Sequence, residues 1–341
     1  MKQIILREPK KFETLEVPRP VCGENEALIK VGAVGICGSD IHAYHGEHPF
    51  ISCPIVLGHE TAGEVVELGA KAGCLKVGDL VVLRPQLVCG KCLQCREGRY
   101  NICNSLKVLG CQEAGGSCDY YAADARLFYK LPDGVDCKVG TLVEPLAVGV
   151  HAAKRGLSGG FAGKRALVIG AGTIGNVTAQ SLLALGAENV IITDVSEFKL
   201  ELARKCGIAN AVNSANTDLA GYVAEKFGPD GADVIFECTA SEAGTNQTLD
   251  IARKGTVIVI VGVYGHHVST NMGNVQDREY SLVGTLMYLH EDYVDAIRFL
   301  QEGKVDLKSL ITNEFPLDKT AEAYRYIEEN RDKVQKVIIT V

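Results

Sequence analysis

Two groups of residues in the first half of the sequence have side chains that bind metals. The first group has the spacing C-x2-C-x2-C-x7-C and consists of Cys89, Cys92, Cys95 and Cys103. Four thiolates this close in sequence can surround one zinc ion as a tetrahedron, which leaves no open position and predicts a structural site. An iron–sulfur cluster is the alternative that these ligands allow. Two separated C-x2-C pairs are typical of a nucleic-acid-binding zinc ribbon, and the spacing found here does not match that pattern.

The second group combines cysteine, histidine and carboxylate. Cys37 lies in the run GICGSDIH, His59 and Glu60 lie in GHETAG, and Glu144 precedes Pro145. All three side-chain types are competent zinc ligands. Taken singly, each also has a simpler interpretation. Cys37 could be a small buried apolar residue, His59 a core histidine, and Glu144 a carboxylate at a helix N-terminus.

A glycine-rich run, GAGTIG at residues 170–175, predicts a dinucleotide site. It follows an apolar strand pattern and opens a helix pattern, and Asp194 ends the next strand pattern 19 positions after Gly175. The glycines permit a tight turn and close approach to a pyrophosphate, which the helix N-terminus would bind. Asp194 would accept hydrogen bonds from the ribose and repel the extra phosphate of NADP, which favours NAD; alternatively it only caps the next helix. The predicted cofactor-binding residues are Gly170, Gly172, Thr173, Ile174, Gly175, Asp194, Lys199, Thr239 and Val261.

The elements that hold these motifs change character near residue 147. Before it, short Val- and Ile-rich runs alternate with Gly, Pro and Cys clusters, which is typical of a mostly β domain. After it, strand and helix patterns alternate, which predicts a doubly wound parallel sheet and an α/β fold. The last apolar run, residues 336–341, predicts a strand that returns to the first domain. We therefore predict one domain from residues 1–147 and 286–341 and a second from residues 148–285.

Composition and charge exclude several function classes. The 341-residue chain has a net charge of -7, which argues against nucleic acid or an anionic membrane as partner. It contains no apolar run approaching the roughly 18 residues that span a bilayer, and no N-terminal signal pattern, so a cytoplasmic location is expected. An odd count of 13 irregularly spaced cysteines favours metal sites over a disulfide framework.

Taken together and in this order, the motifs resemble those of the zinc-containing medium-chain alcohol dehydrogenases, in their sorbitol and threonine dehydrogenase branch. The resemblance runs from about Lys30 to the C-terminus. It implies a GroES-like, mostly β catalytic domain beside a Rossmann-type NAD-binding domain, with two zinc ions per chain. Homodimers or homotetramers are usual in the family.

The resemblance also implies roles for individual residues. Cys37, His59 and Glu60 match the catalytic zinc ligands. Glu144 matches a fourth acidic group that binds zinc directly or through water. Ser39 and His42 match a proton relay between the substrate and solvent.

The implied reaction is hydride transfer from a secondary alcohol of a small polar substrate to NAD. Polar loop residues favour sugar acids, cyclitols and polyols, in that order; these residues are His45, Glu47, His48, Gln112 and Glu113. Met287 precedes Tyr288 where sorbitol dehydrogenases have arginine, which disfavours an acyclic polyol. A threonine-like amino alcohol is the alternative substrate, because Glu47 or Glu113 could pair with an ammonium group. A zinc-free quinone reductase or a non-catalytic dinucleotide-binding protein would need neither the two metal groups nor the relay.

Overall fold

The computed structural model describes residues 1–73 and 75–341. The chain forms two compact units, Met1–Glu144 with Ile311–Val341, and Pro145–Leu310. Residues 286–310, which the sequence analysis assigns to the first domain, therefore lie in the second unit. The reason is the helix His290–Gln301, whose Asp292 bonds His151 and Lys154 of that unit. No helix among the described residues is both long and apolar enough to cross a membrane.

The first unit is mostly β, as predicted. Strands and helices are numbered along the chain. Its strands are β1 (Lys2–Glu8), β2 (Lys11–Glu16), β3 (Glu26–Ile36), β4 (Glu60–Leu68), β5 (Leu80–Leu83), β6 (Gln86–Leu87), β7 (Lys107–Val108), β8 (Tyr120–Asp124), β9 (Phe128–Lys130), β16 (Ile311–Pro316) and β17 (Lys336–Thr340). Its helices are α1 (Gly38–His45), α2 (Leu93–Arg96), α3 (Cys137–Thr141) and α11 (Thr320–Glu329). Its main sheet has the order β16-β17-β3-β4-β5-β9, with β8 also paired to β3.

The second unit alternates strands and helices. Its strands are β10 (Arg165–Ile169), β11 (Asn189–Asp194), β12 (Asn210–Asn213), β13 (Val234–Glu237), β14 (Val257–Ile260) and β15 (Ser281–Gly284). Its helices are α5 (Thr173–Ala184), α6 (Glu197–Lys205), α7 (Leu219–Phe227), α8 (Glu242–Ile251), α9 (Met272–Asp277) and α10 (His290–Gln301), preceded by α4 (Val143–Gly156), which crosses the boundary between the units.

The sheet of the second unit is parallel, with the order β12-β11-β10-β13-β14-β15. Successive residues of β10 enter different cores, Ala166 and Val168 on one face, Leu167 and Ile169 on the other. Burial on both faces explains why these strands are continuous apolar runs. The strand order reverses between β10 and β13, and ligands bind at such a point outside the carboxyl ends of the strands.

Candidate zinc and dinucleotide sites

Three side chains with zinc-ligand chemistry come together in the first unit. The Cys37 sulfur, a ring nitrogen of His59 and a carboxylate oxygen of Glu60 all lie within 4.8 Å of one another. His59 and Glu60 are buried, and Cys37 is half-buried. A thiolate, an imidazole and a carboxylate around one point fit a zinc site that keeps one position free for substrate or water.

Strand order explains why these residues meet. Cys37 directly follows β3 and Glu60 begins β4, and the antiparallel register pairs Gly35 with Glu60. Position 35 requires glycine, because a Cβ there would collide with the Glu60 carboxylate. The turn into α1 is fixed by Asp40, whose Oδ2 accepts a 2.8 Å hydrogen bond from the Cys37 N–H.

His59 is oriented by two buried neighbours. Asp40 Oδ1 lies 3.4 Å from His59 Nδ1, and Cys111 Sγ lies 3.8 Å from the same nitrogen. Partners at Nδ1 fix the ring and leave Nε2 for a metal. Burial lowers the pKa of His59, but Asp40 and Cys111 raise it, and the net shift is well upward. A proton therefore competes with a metal for this imidazole as the pH falls.

A buried lysine holds Glu60. Lys336 Nζ donates to Glu60 Oε1 at 2.7 Å and Oε2 at 2.8 Å, and to the Ile36 carbonyl at 3.1 Å. Burial lowers the pKa of Lys336, but Glu60 and Cys37 raise it more, so the lysine stays charged. No sequence pattern points to Lys336, because 276 residues separate it from Glu60. Only the sheet order β17-β3-β4 brings the two together.

The four thiols of the cysteine-rich lobe also lie at metal-ligand separations. The sulfur–sulfur distances are 3.5 Å for Cys92–Cys95, 3.9 Å for Cys92–Cys103 and 4.0 Å for Cys89–Cys95. Thiolates about 2.3 Å from a tetrahedral zinc are roughly 3.8 Å apart, whereas disulfide sulfurs are about 2.05 Å apart. Backbone N–H groups of Asn104 and Cys95 lower the pKa of Cys92 to about 6. The lobe therefore fits a closed zinc site.

A cleft of about 530 Å³ lies in the second unit at the carboxyl ends of the parallel strands. Gly172 is the N-cap of α5, so the free N–H groups of that helix end stand beside the cleft. Gly175 has no space for a side chain, because a Cβ there would collide with the Gly170 carbonyl. Predicted cofactor residues that line the cleft are Gly170, Gly172, Asp194, Lys199 and Thr239. Thr173, Ile174, Gly175 and Val261 are not among its lining residues.

Asp194 links the glycine-rich turn to the next helix. Its Oδ2 accepts a 2.8 Å hydrogen bond from the Ala171 N–H, and its Oδ1 accepts a 2.9 Å bond from the Ser196 N–H. A carboxylate has about four acceptor positions, so Asp194 can still bind a ribose. The next helix is capped by Ser196, whose Oγ accepts from the Lys199 N–H at 3.4 Å, so Asp194 holds the N-cap residue in place rather than capping the helix itself.

Several lining residues were not predicted. They are Ile169, Thr193, Val195, Ser214, Cys238, Ser241, Ala243, Gly244 and Gln247. Most directly follow a parallel strand or begin the next helix, and that position is the signal that could have identified them.

Comparisons with known proteins match both units. The alcohol dehydrogenase GroES-like domain matches residues 23–133, and the zinc-binding dehydrogenase domain matches residues 173–302. The L-galactonate-5-dehydrogenase of Escherichia coli K12 is 33% identical over 340 residues, covering 99% of this chain and 98% of that protein. The chain belongs to the zinc-containing medium-chain alcohol dehydrogenase family. Sorbitol dehydrogenase 1 of Saccharomyces cerevisiae is 36% identical, covering 91% of this chain and 89% of its own.

A solved structure shares the fold of this medium-chain dehydrogenase over its whole length. It is an Escherichia coli oxidoreductase/dehydrogenase of unknown specificity involved in membrane biogenesis, with a TM-score of 0.93 and 34% identity. The match covers 99% of this chain and 98% of the other. The GroES-like and Rossmann-type domains predicted from the sequence are thereby confirmed, as is the polyol and sugar-acid branch of the family.

The remaining predicted site residues, Glu144, Ser39 and His42, lie on helices α4 and α1. Glu144 is buried in the first turn of α4 but is not part of the group formed by Cys37, His59 and Glu60. Ser39 and His42 are half-buried and three residues apart on α1. That spacing places the serine and the histidine on one side of the helix.

Two of the loop residues predicted to bind substrate hydroxyls, Gln112 and Glu113, already have protein partners. Gln112 Oε1 accepts from the Val108 N–H at 2.9 Å, and its Nε2 donates to the Phe50 carbonyl at 3.0 Å. Glu113 forms an ion pair with Lys107. These contacts hold the loop in place and reduce what either side chain offers to a substrate.

Proposed function

We propose that the protein is a zinc-dependent, NAD-linked dehydrogenase that oxidises a secondary alcohol of a polyhydroxylated substrate. The overall reaction converts the alcohol and NAD⁺ to a ketone, NADH and a proton. The meeting of Cys37, His59 and Glu60 carries the proposal, because three ligands leave one position free. When bound, zinc supplies Lewis acidity to the substrate hydroxyl and NAD accepts the hydride.

The chain's own residues position the ligands and move the proton. Asp40 orients the His59 ring, and Lys336 neutralises the buried Glu60 carboxylate. Ser39 takes the proton of the alcohol, and His42, on the same side of α1, passes it to solvent. Glu144, which lies outside the three-ligand group, acts through a water molecule.

The proposed zinc content is two ions per chain, with Cys89, Cys92, Cys95 and Cys103 holding the structural one. The proposed cofactor is NAD, bound in the cleft beside Asp194. A carboxylate that faces the adenosine ribose disfavours the additional phosphate of NADP.

Sugar acids are the preferred substrate class. The full-length relatives named above act, by their names, on L-galactonate and on sorbitol. Met287 stands where sorbitol dehydrogenases have arginine, which favours the sugar acid over the polyol. An amino alcohol is less well supported, since Glu113, one of the two carboxylates that could pair with its ammonium group, already pairs with Lys107.

The proposed assembly is a homodimer or homotetramer. Strand β15 is at the edge of its sheet, and Leu282 and Leu286 near it are 42% and 49% exposed. An exposed apolar edge strand is a template for pairing with a second chain.

The test is a substrate panel with NAD, read as NADH formation. It includes sugar acids, cyclitols, polyols, L-threonine and simple aliphatic alcohols. We expect the highest kcat/KM with a sugar acid, because a polar site rejects substrates that leave its groups unpaired, often by about 10⁴-fold.

Cys37→Ser should abolish turnover while NADH binding persists, and Cys22→Ser, outside both metal groups, should leave turnover unchanged. Turnover of simple aliphatic alcohols alone would contradict the proposed substrate class. Full activity of Cys37→Ser would contradict the zinc-dependent reaction.

A further inference from the structure

A buried carboxylate at the carboxyl end of β13 has no role in the chemistry described above. Glu237 is fully buried. Its Oε1 accepts from the Thr239 N–H at 2.8 Å and from the Thr239 hydroxyl, and its Oε2 accepts from the Ala240 N–H at 3.2 Å and the Tyr264 hydroxyl at 2.8 Å. All four donors are neutral. Together they use the acceptor capacity of the carboxylate, which is about four positions.

The turn held by Glu237 forms part of the cleft. Thr239, Ser241 and Gly244 all line it. The Thr239 and Ser241 hydroxyl oxygens are 2.8 Å apart, and Ser241 Oγ caps α8 by accepting from the Gly244 N–H at 3.0 Å. Displacement of Thr239 would therefore also displace Ser241 and the start of the helix.

This turn is strained and needs support. Ala240 has a φ of 52°, in the left-handed region that residues with a Cβ rarely adopt. It packs against Gly262, where a Cβ would lie 2.6 Å from the Ala240 nitrogen. Such a conformation persists only where its surroundings fix it. The bond from the Ala240 N–H to Glu237 is one of the contacts that fix it.

Tyr264 connects the same carboxylate to α8 and to the segment after β14. Its hydroxyl oxygen lies 2.8 Å from Glu237 Oε2 and 2.7 Å from Thr245 Oγ1. Burial raises the pKa of Tyr264, and the Glu237 carboxylate raises it further. Tyr264 therefore remains a hydrogen-bond donor at neutral pH.

We propose that Glu237 is a positioning residue for the dinucleotide: through its bonds to Thr239, Ala240 and Tyr264 it holds the wall of the cleft in the shape that binds the cofactor. This inference rests on the proposed function, since it takes the cleft to be the NAD site. An amide at position 237 would keep one acceptor oxygen and turn an NH₂ group toward two donors. The Thr239–Ser241 turn would then relax, and affinity for the cofactor would fall.

The experiment measures NADH binding to the zinc-loaded protein by nucleotide fluorescence, together with steady-state kinetics. Glu237→Gln should raise the Kd for NADH and the KM for NAD at least tenfold, with kcat within about twofold of wild type. Tyr264→Phe, which removes one of the four donors, should raise the Kd about threefold. Zinc content should match that of wild type in both variants.

Asp292→Asn is the matched control, because it alters another buried carboxylate of the second unit whose partners, His151, Lys154 and the Leu289 N–H, do not line the cleft. It should lower the melting temperature and leave the Kd for NADH unchanged. An unchanged Kd in Glu237→Gln, or in Tyr264→Phe if the first variant does not fold, would overturn the positioning role. A wild-type protein that binds no NADH would instead overturn the proposed function, and the positioning role with it.

Discussion

At the scale of single residues, Asp194 gives a direct test of cofactor choice. Asp194→Asn keeps the shape but removes the charge that would face the NADP phosphate, so the preference for NAD in kcat/KM should narrow about tenfold or more. The KM for NAD should also rise. In Asp194 the Ala171 and Ser196 N–H groups each bond to a different carboxylate oxygen, and an amide has only one oxygen, so the glycine-rich turn would lose one of these bonds. Glu197→Gln removes an exposed charge at the start of α6 and should leave the ratio of kcat/KM for NAD to that for NADP unchanged. Equal wild-type efficiency with both cofactors would show that Asp194 does not face the ribose.

Some residues of the three-ligand site could be predicted from the sequence, and others could not. Cys37, His59 and Glu60 could be selected because their types and flanking glycines point to a crowded metal site. Lys336 and Cys111 could not, because each reaches that site only through strand pairing and loop packing far along the chain. A lone lysine in an apolar strand has no spacing pattern, and its burial becomes explicable only beside the Glu60 carboxylate.

At the scale of elements, a buried ion network joins α4 to α10. Asp292 Oδ2 lies 2.7 Å from His151 Nδ1 and accepts from the Leu289 N–H at the start of α10, while Oδ1 accepts from Lys154. Burial raises the pKa of Asp292, but the hydrogen bonds from His151 and Lys154 lower it more, so the net shift is below the ordinary pKa of an aspartate. The network therefore stabilises the fold above about pH 3.8, and this stabilisation is lost as the pH falls through the folded-state pKa.

Asp292→Asn should thus cost roughly 3 kcal/mol of unfolding free energy at pH 7, because the uncharged amide keeps only one oxygen for the donors His151, Lys154 and the Leu289 N–H. Urea titrations of wild type and Asp292→Asn at pH 7 and pH 3 measure this cost. The difference in unfolding free energy between the two proteins should be smaller at pH 3. Asp295→Asn, which breaks a more exposed pair with Lys154, should cost less than about 1 kcal/mol. A difference between wild type and Asp292→Asn that grew at pH 3 would contradict this assignment.

Helices and strands with a clear apolar periodicity could be predicted from the sequence, but the distant segments that they pack against could not. The apolar pattern predicts a strand over residues 165–169 and a helix over residues 174–185, and the structure has Arg165–Ile169 and Thr173–Ala184. The same pattern predicts a helix around residues 245–253, but α8 starts three residues earlier, at Glu242, because Ser241 caps it. Residues 286–310 were assigned to the wrong side of the boundary, since α10 is tied to the second unit by Asp292, whose partners lie about 140 residues earlier.

At the scale of the whole molecule, the chain leaves the first unit after Glu144 and returns to it at Ile311. The first unit therefore closes only when β17 pairs with β3 and Lys336 reaches Glu60. Both proposed zinc sites belong to this unit, but they differ in what the metal contributes. Three of the four thiols in the cysteine-rich lobe are half-buried and its helix α2 has only four residues, so we expect the order of the lobe to depend on the metal. The three-ligand site is built on ends of the main sheet, which the strand pairing holds without a metal.

We therefore predict two zinc ions per chain, and we expect their removal to have different consequences. Elemental analysis of the wild type should give two, because each ligand group fits one ion. A chelator should take the metal first from the three-ligand site, which has an open position, and abolish activity with the melting temperature nearly unchanged. Cys37→Ser should reproduce that state with one zinc per chain.

Cys92→Ser should lose the other zinc and lower the melting temperature sharply, because closed zinc sites contribute directly to folding. Cys22→Ser, a half-buried cysteine outside both groups, should keep both ions. A wild type with a single zinc, or a Cys92→Ser protein as stable as Cys37→Ser, would show that the two groups do not divide the structural and catalytic roles in this way.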